Sequence, residues 1–226
     1  MTKKIFIDPG HGGSDSGAIG VNNLLEKDIN LAVAKLVATL LSQQSDVSVL
    51  LSREDDSTNT LYSRTSMAND WKADCFVSIH CNAFNSKAQG VETYSYSEST
   101  NDLAEYVHNE IVESGNYTKD RGLKTARFYV LRETKMRATL VELGFIDNAE
   151  DANILVNKQY ELALAIAKGI CKYLGIDFVL EVVDPNVFYR VVCGSFNSKS
   201  SANQRVDELK ALGYDSFIDV YYKEDK

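Results

Sequence analysis

Apolar and polar positions along most of the chain follow two alternating periods. Short apolar runs at 4–8, 46–52 and 75–80 read as strands. The run at 75–80 is nearly unbroken, as a strand covered on both faces should be. Ile29, Val33, Leu36, Val37, Leu40 and Leu41 recur at the spacing of one helical face and predict a helix over 26–44. Residues 61–71 predict a second helix, 90–96 an alternating strand, 100–114 a polar-surfaced helix, and 128–131 and 138–143 two further short strands. A long amphipathic helix then passes through Tyr160, Leu164, Ala167, Ile170 and Leu174 and stops at Gly175, a suitable C-cap. Strand and helix alternating in this order predict an α/β sheet.

The pattern changes after Gly175. Asp184-Pro185-Asn186 is turn chemistry and reads as the end of a linker. Beyond it, 187–193 is strand-like, 200–212 is helical with Ser200-Ser201 as N-cap residues, and 216–222 is strand-like again. The expected organisation is a large domain over 1–175, a linker over 176–186, and a βαβ half-domain over 187–226. One βαβ unit is too small to bury a core of its own, so it must pack on something else.

Composition narrows the function classes. A hydrophobic share of 44% and a charged share of 25% are ordinary globular values across the 226 residues. No apolar run approaches the roughly 20 residues of a membrane span, so no membrane insertion is expected. The formal net charge of -8 leaves no basic excess for phosphate backbones, so no nucleic acid is expected as a partner. Met1-Thr2-Lys3-Lys4 runs directly into a strand with no apolar signal segment behind it. Synthesis in the cytoplasm without a Sec signal is therefore expected. Cys75, Cys81, Cys171 and Cys193 form no CxxC pair and read as small buried apolar residues.

With 3 histidines in the chain, the place of each carries information. His11 follows the first strand in Asp8-Pro9-Gly10-His11-Gly12-Gly13, and His80 ends the most apolar strand. Glu26 opens the first long helix, and Glu142 lies inside the apolar run Leu140-Val141-Glu142-Leu143. A carboxylate in such a strand is costly unless paired, so Glu142 is either a partnered core charge or functional. The carboxyl ends of parallel strands share one edge, where ligands bind. There, two imidazoles and a carboxylate make a catalytic zinc set with an open place for water, and the second carboxylate can take the water's proton. The glycines lack the spacing of a nucleotide loop. Asp8 is a candidate acceptor orienting a ligand imidazole. Arg64 reads as a helix-surface ion pair or a substrate contact, Asn82 is equally open, and His108 reads as a surface histidine.

These residues lie in blocks that resemble the zinc-dependent N-acetylmuramoyl-L-alanine amidases of bacterial autolysins and phage endolysins. The blocks are residues 5–13, Glu26-Lys27-Asp28, Leu61 with Arg64-Thr65 and Ala68-Asn69, Ser78-Ile79-His80-Cys81-Asn82-Ala83, Arg121-Gly122-Leu123-Lys124 with Tyr129-Val130-Leu131-Arg132, and Val141-Glu142-Leu143-Gly144-Phe145-Ile146. They follow the family's order over about residues 3–175. The resemblance implies a twisted, mostly parallel sheet flanked by helices. It implies one Zn2+ per chain, with His11, Glu26 and His80 as ligands and Glu142 as the catalytic carboxylate. It also implies hydrolysis of the bond between N-acetylmuramic acid and L-alanine. A zinc peptidase acting on stem peptides shares the ligand chemistry and is the competing reading. Cys81 departs from the family's usual residue; strand alternation should turn it away from a metal bound by His80.

The tail is similar to one repeat of the sporulation-related (SPOR) peptidoglycan-binding module, through residues 188–196, Ala202-Asn203 with Leu209, and 213–218. That module is built from two such halves, so two chains are expected to pair their tails into a homodimer. The enzyme would reach the wall through a holin, mother-cell lysis or another non-Sec route.

Overall fold

The computed structural model describes residues 2–117, 119–180, 193–214, 216–218 and 220. The chain divides into two units, Met1–Glu181 and Val182–Lys226.

The larger unit is a six-stranded sheet with helices on both faces. Its strands are β1 (Lys3–Pro9), β2 (Val47–Leu51), β3 (Cys75–Asn82), β4 (Val91–Ser95), β5 (Asp120–Thr125) and β6 (Arg137–Phe145). The order across the sheet is β2-β1-β3-β6-β4-β5. β2, β1, β3 and β6 are mutually parallel, whereas β4 meets β6 antiparallel and carries β5 parallel to itself. The expected mostly parallel α/β sheet is present.

Alternation on the central strands builds two cores. Ile5, Ile7, Val77 and Ile79 face α1 (Glu26–Ser42), α3 (Asp102–Glu113) and α6 (Gln159–Leu174), where Val33, Val37, Val107, Ile166 and Ile170 join them. Phe6 and Phe76 point the other way, stacked at 5.4 Å, under α2 (Leu61–Trp71) and α4 (Tyr129–Arg132). Asp8, Ser78, His80 and Glu142 continue this second face toward the carboxyl edge, because each lies an even number of residues beyond a core side chain of its strand. Cys81 falls on the opposite face, in the core with α1. Gly175 closes α6 at φ 68, in the left-handed region a C-cap glycine serves.

Some expectations are corrected. Residues 128–131, expected as a strand, lie on the helical turn α4. The strand that ends the sheet beyond β4 is β5, whose half-exposed Asp-Arg-Gly-Leu-Lys-Thr sequence has no apolar alternation to announce it. An additional helix, α5 (Ala149–Asn157), is capped by Asn148. His108 is not on the surface: it is 3% exposed, with Nδ1 3.0 Å from Thr93 Oγ1 and Nε2 2.8 Å from Asp120 Oδ1. Its helix lies flat on the sheet, so a polar-looking face is in fact covered.

In the smaller unit, α7 (Lys199–Ala211) is capped by Ser198, whose side chain accepts from the Ser201 amide. Ser200-Ser201 thus lie within the helix rather than at its cap. The expected strands at 187–193 and 216–222 fall largely outside the described residues, as does the end of the expected linker. No helix among the described residues is long and apolar enough to cross a membrane.

Candidate active site

The carboxyl ends of β1, β3 and β6 bring the chemistry together. His80 and Glu142 are register neighbours on β3 and β6, and Asp8 is the register neighbour of Ser78. His11 lies just past β1 with φ 60, a left-handed conformation that a residue with a side chain adopts at some cost. Two buried arginines hold that turn. Arg53 Nε donates to Pro9 O at 3.1 Å and its Nη2 to Gly10 O at 2.9 Å. Arg64 Nη1 donates to Pro9 O at 2.7 Å and its Nη2 to His11 O at 2.6 Å. Gly10 is needed for a different reason: a Cβ there would stand 2.3 Å from the His80 ring.

Glu26 is the first residue of α1, whose N-terminus has no side-chain cap. Carbonyls of the preceding loop accept instead, Ala18 O from Glu26 N and Ser16 O from Lys27 N. This places the Glu26 carboxylate, 4% exposed, between the two imidazoles. Its Oε1 is 3.1 Å from His11 Nε2 and 2.9 Å from His80 Nδ1, and also accepts from the Cys81 amide at 3.1 Å; Oε2 accepts from the Ala18 amide at 2.8 Å. Burial pushes this carboxyl up, but the hydrogen bonds from His11 and His80 outweigh it and hold it well below the usual range. The same contact, against the opposing effect of burial, raises the His11 imidazole to about 9. His11 Nδ1 lies 2.8 Å from Asp15 Oδ2.

Glu142 is treated very differently. Its Oε2 is buried with no hydrogen-bond partner among the described residues. Burial is the main cause that lifts its carboxyl to about 7; His80 opposes the rise, and Glu26 and Glu92 add to it. Glu92 is the register neighbour of Glu142 on β4 and is fully engaged: it accepts from Asn82 Nδ2 and Tyr94 Oη at 2.7 Å, from Arg121 Nε at 2.6 Å, and from Lys124 Nζ. A cleft of about 460 Å³ opens over His11, His80 and Glu142, walled by Asn59, Leu61, Phe128 and Tyr129.

The sequence-derived residues fare unevenly. His11, Glu26 and His80 converge, with ligand atoms all within 4.8 Å of one another. Two imidazoles and a carboxylate at that separation suit zinc, and the unpartnered Glu142 oxygen beside them suits a proton acceptor. Asp8 does not orient an imidazole. Its carboxylate accepts from Ser52, Arg64 and Ser78 at 2.6–2.8 Å, and Asp15 touches the His11 ring instead. Arg64 is 3% exposed, its guanidinium spent on Asp8 and on backbone carbonyls rather than lying on a helix surface. Asn82 is taken up by Glu92 and by the Ala83 amide. The buried Arg53 and Glu92 carry no motif that marks them. The short spacing from His11 to Asp15 was the one available signal for the imidazole's partner.

An α/β sheet edge here gathers a His-Glu-His set that could hold a metal ion, beside a carboxyl oxygen unpartnered among the described residues. Residues 5–172 match the family model Amidase_3, N-acetylmuramoyl-L-alanine amidase, and residues 185–226 match the SPOR domain. The chain belongs to this amidase family and is an enzyme of that type. It is 41% identical over 219 residues to the sporulation-specific N-acetylmuramoyl-L-alanine amidase of Bacillus subtilis (strain 168), covering 95% of this chain and 84% of that protein. It is 40% identical over 185 residues to an endolysin of Bacillus phage SPP1, covering 78% of this chain and 68% of the endolysin. The catalytic domain of CwlV, an amidase from Bacillus (Paenibacillus) polymyxa var. colistinus, superposes with a TM-score of 0.75 at 38% identity, over 78% of this chain and 100% of that domain.

Proposed function

We propose that the chain cleaves the amide bond between N-acetylmuramic acid and L-alanine in peptidoglycan, with His11, Glu26 and His80 holding one zinc ion and Glu142 moving the proton. The observation that carries this reading is the contrast within the site: three groups of metal-ligand type converge, and the fourth keeps a buried oxygen that has no partner among the described residues. A bound zinc ion would supply Lewis acidity toward the amide carbonyl and toward water. Glu142 Oε2 accepts the proton of the attacking water and returns it to the departing alanine nitrogen, a two-way role that a carboxyl near 7 fits. Asp15 fixes the His11 ring so that Nε2 faces Glu26 and the ligand set. Arg64 acts through the His11 backbone and Asn82 through Glu92, as positioning residues rather than substrate contacts.

The test is product analysis on purified peptidoglycan. Expected are new L-alanine amino groups, no new reducing sugars, and loss of both activity and bound metal on chelation, restored by zinc. Release of single amino acids from stem-peptide ends instead would establish the peptidase reading.

The tail serves to hold the enzyme on the wall, and two copies pair to complete the module. Light scattering of the full chain checks the pairing; a monomer at high micromolar concentration rejects it. A sporulation role is favoured over phage lysis, because the match to the sporulation-specific relative spans nearly the whole chain while the endolysin match leaves about a fifth unmatched.

A further inference from the structure

The Arg121-Gly122-Leu123-Lys124 block is absorbed by neither the metal site nor the proton transfer. Both of its cations lie on the site's face of the sheet, one strand beyond Glu92. Arg121 bonds Glu92 through Nε alone, and its two terminal nitrogens have no partner among the described residues. The guanidinium lies 4.8 Å over the Phe145 ring. Lys124 Nζ lies 5.8 Å over the Tyr94 ring and also reaches Glu92. The side chains of Arg121 and Lys124 are 29% and 35% exposed, so each presents charge to solvent. Glu92 is hydrogen-bonded to both cations, and the Asp151 carboxyl also lies within electrostatic reach of Arg121.

We propose that Arg121 and Lys124 form an anion subsite that holds a free carboxylate of the peptide leaving group. This rests on the amidase reading above and names what lies beyond the scissile bond. Across this face the order is His80, Glu142, Glu92, then the two cations. Strands stand about 4.8 Å apart, and the cations lean back over Glu92, so their charged ends lie roughly one strand spacing from Glu142 and roughly two from His80. An extended peptide advances about 3.3–3.6 Å per residue. The subsite therefore meets a group one or two residues past the bond that is cut. Glu92 anchors the cations, and its engaged oxygens leave the outward donors for the ligand.

The experiment uses the full-length zinc-loaded enzyme and pairs of soluble muramoyl-peptides. One pair differs in a carboxylate or carboxamide on the residue after L-alanine, the other in a free or amidated C-terminus. The readout is the ratio of kcat/KM within each pair. Wild type should favour the carboxylate of one pair by about tenfold or more, as one charge-assisted contact allows, and that pair identifies the group bound. Arg121→Gln and Lys124→Gln should each shrink the ratio and the double variant bring it toward one, while Lys124→Arg keeps it. A wild-type ratio near one in both pairs overturns the subsite while leaving the amidase reading intact. So do variants that slow both members equally with the ratio unchanged. Failure of wild type to cut any muramoyl-alanine bond overturns both readings. Should the variants not fold, inhibition of wild type by carboxylate against carboxamide product peptides decides, equal inhibition rejecting the subsite.

Discussion

Glu26 and Glu142 stand at the same edge of the same sheet, and the protein treats them oppositely. Glu26 is surrounded by the two imidazoles, two backbone amides and the Asn30 amide, and stays ionised despite burial. Glu142, beside it across His80, has an oxygen with no partner among the described residues, and burial lifts it to about 7. Identical side chains thus take opposite shifts through their surroundings alone. The difference originates in position: at the start of α1 Glu26 meets the Ala18 amide of the preceding loop and the Cys81 amide of β3, whereas Glu142 lies inside β6, whose amides serve the sheet.

The largest break in that contrast should come from below the His11 turn. Arg64→Ala leaves the buried Asp8 carboxylate without its cation and frees the Asn59 and His11 carbonyls, and should cost about 3–5 kcal/mol in denaturant unfolding. A change within a few tenths would show that the turn holds itself. Next is a pH effect on the metal-free protein. A raised carboxyl binds its proton more tightly folded than unfolded, so its contribution is fully present below about pH 4 and is lost as pH rises through about 7. Glu142→Gln should therefore stabilise metal-free protein at pH 8 by about 3 kcal/mol and by little at pH 5. Equal effects at both values would mean the carboxyl is not raised. The smallest expected effect sharpens the Glu26 side: Asp15→Asn should weaken zinc binding about 10–100-fold by calorimetry, with the fold's melting barely changed.

Much of the site was legible because ionisable groups in apolar surroundings are conspicuous. His80 and Glu142 interrupt buried strands, and Glu26 opens an amphipathic helix, so each stands out against its neighbours. The supporting groups were not legible for the converse reason. Asp15 and Arg53 lie in polar loops where nothing distinguishes a carboxylate that touches His11 or a guanidinium that binds four carbonyls. β5 is an edge strand with no buried residue, so it leaves no period-two signal, and it took the place of the strand expected at 128–131. His108 misled because polar residues of α3 are covered by long-range partners: Asp120 for His108 and Lys172 for Glu110. Local pattern does not encode such pairings.

The division between the two carboxylates is tested most directly by measuring zinc affinity and kcat side by side for Glu26→Gln and Glu142→Gln. Glu142→Gln should bind zinc as tightly as wild type while kcat falls about 10²–10⁴-fold, and Glu26→Gln should lose the metal. Loss of zinc by Glu142→Gln, or full activity without its carboxylate, would contradict that division.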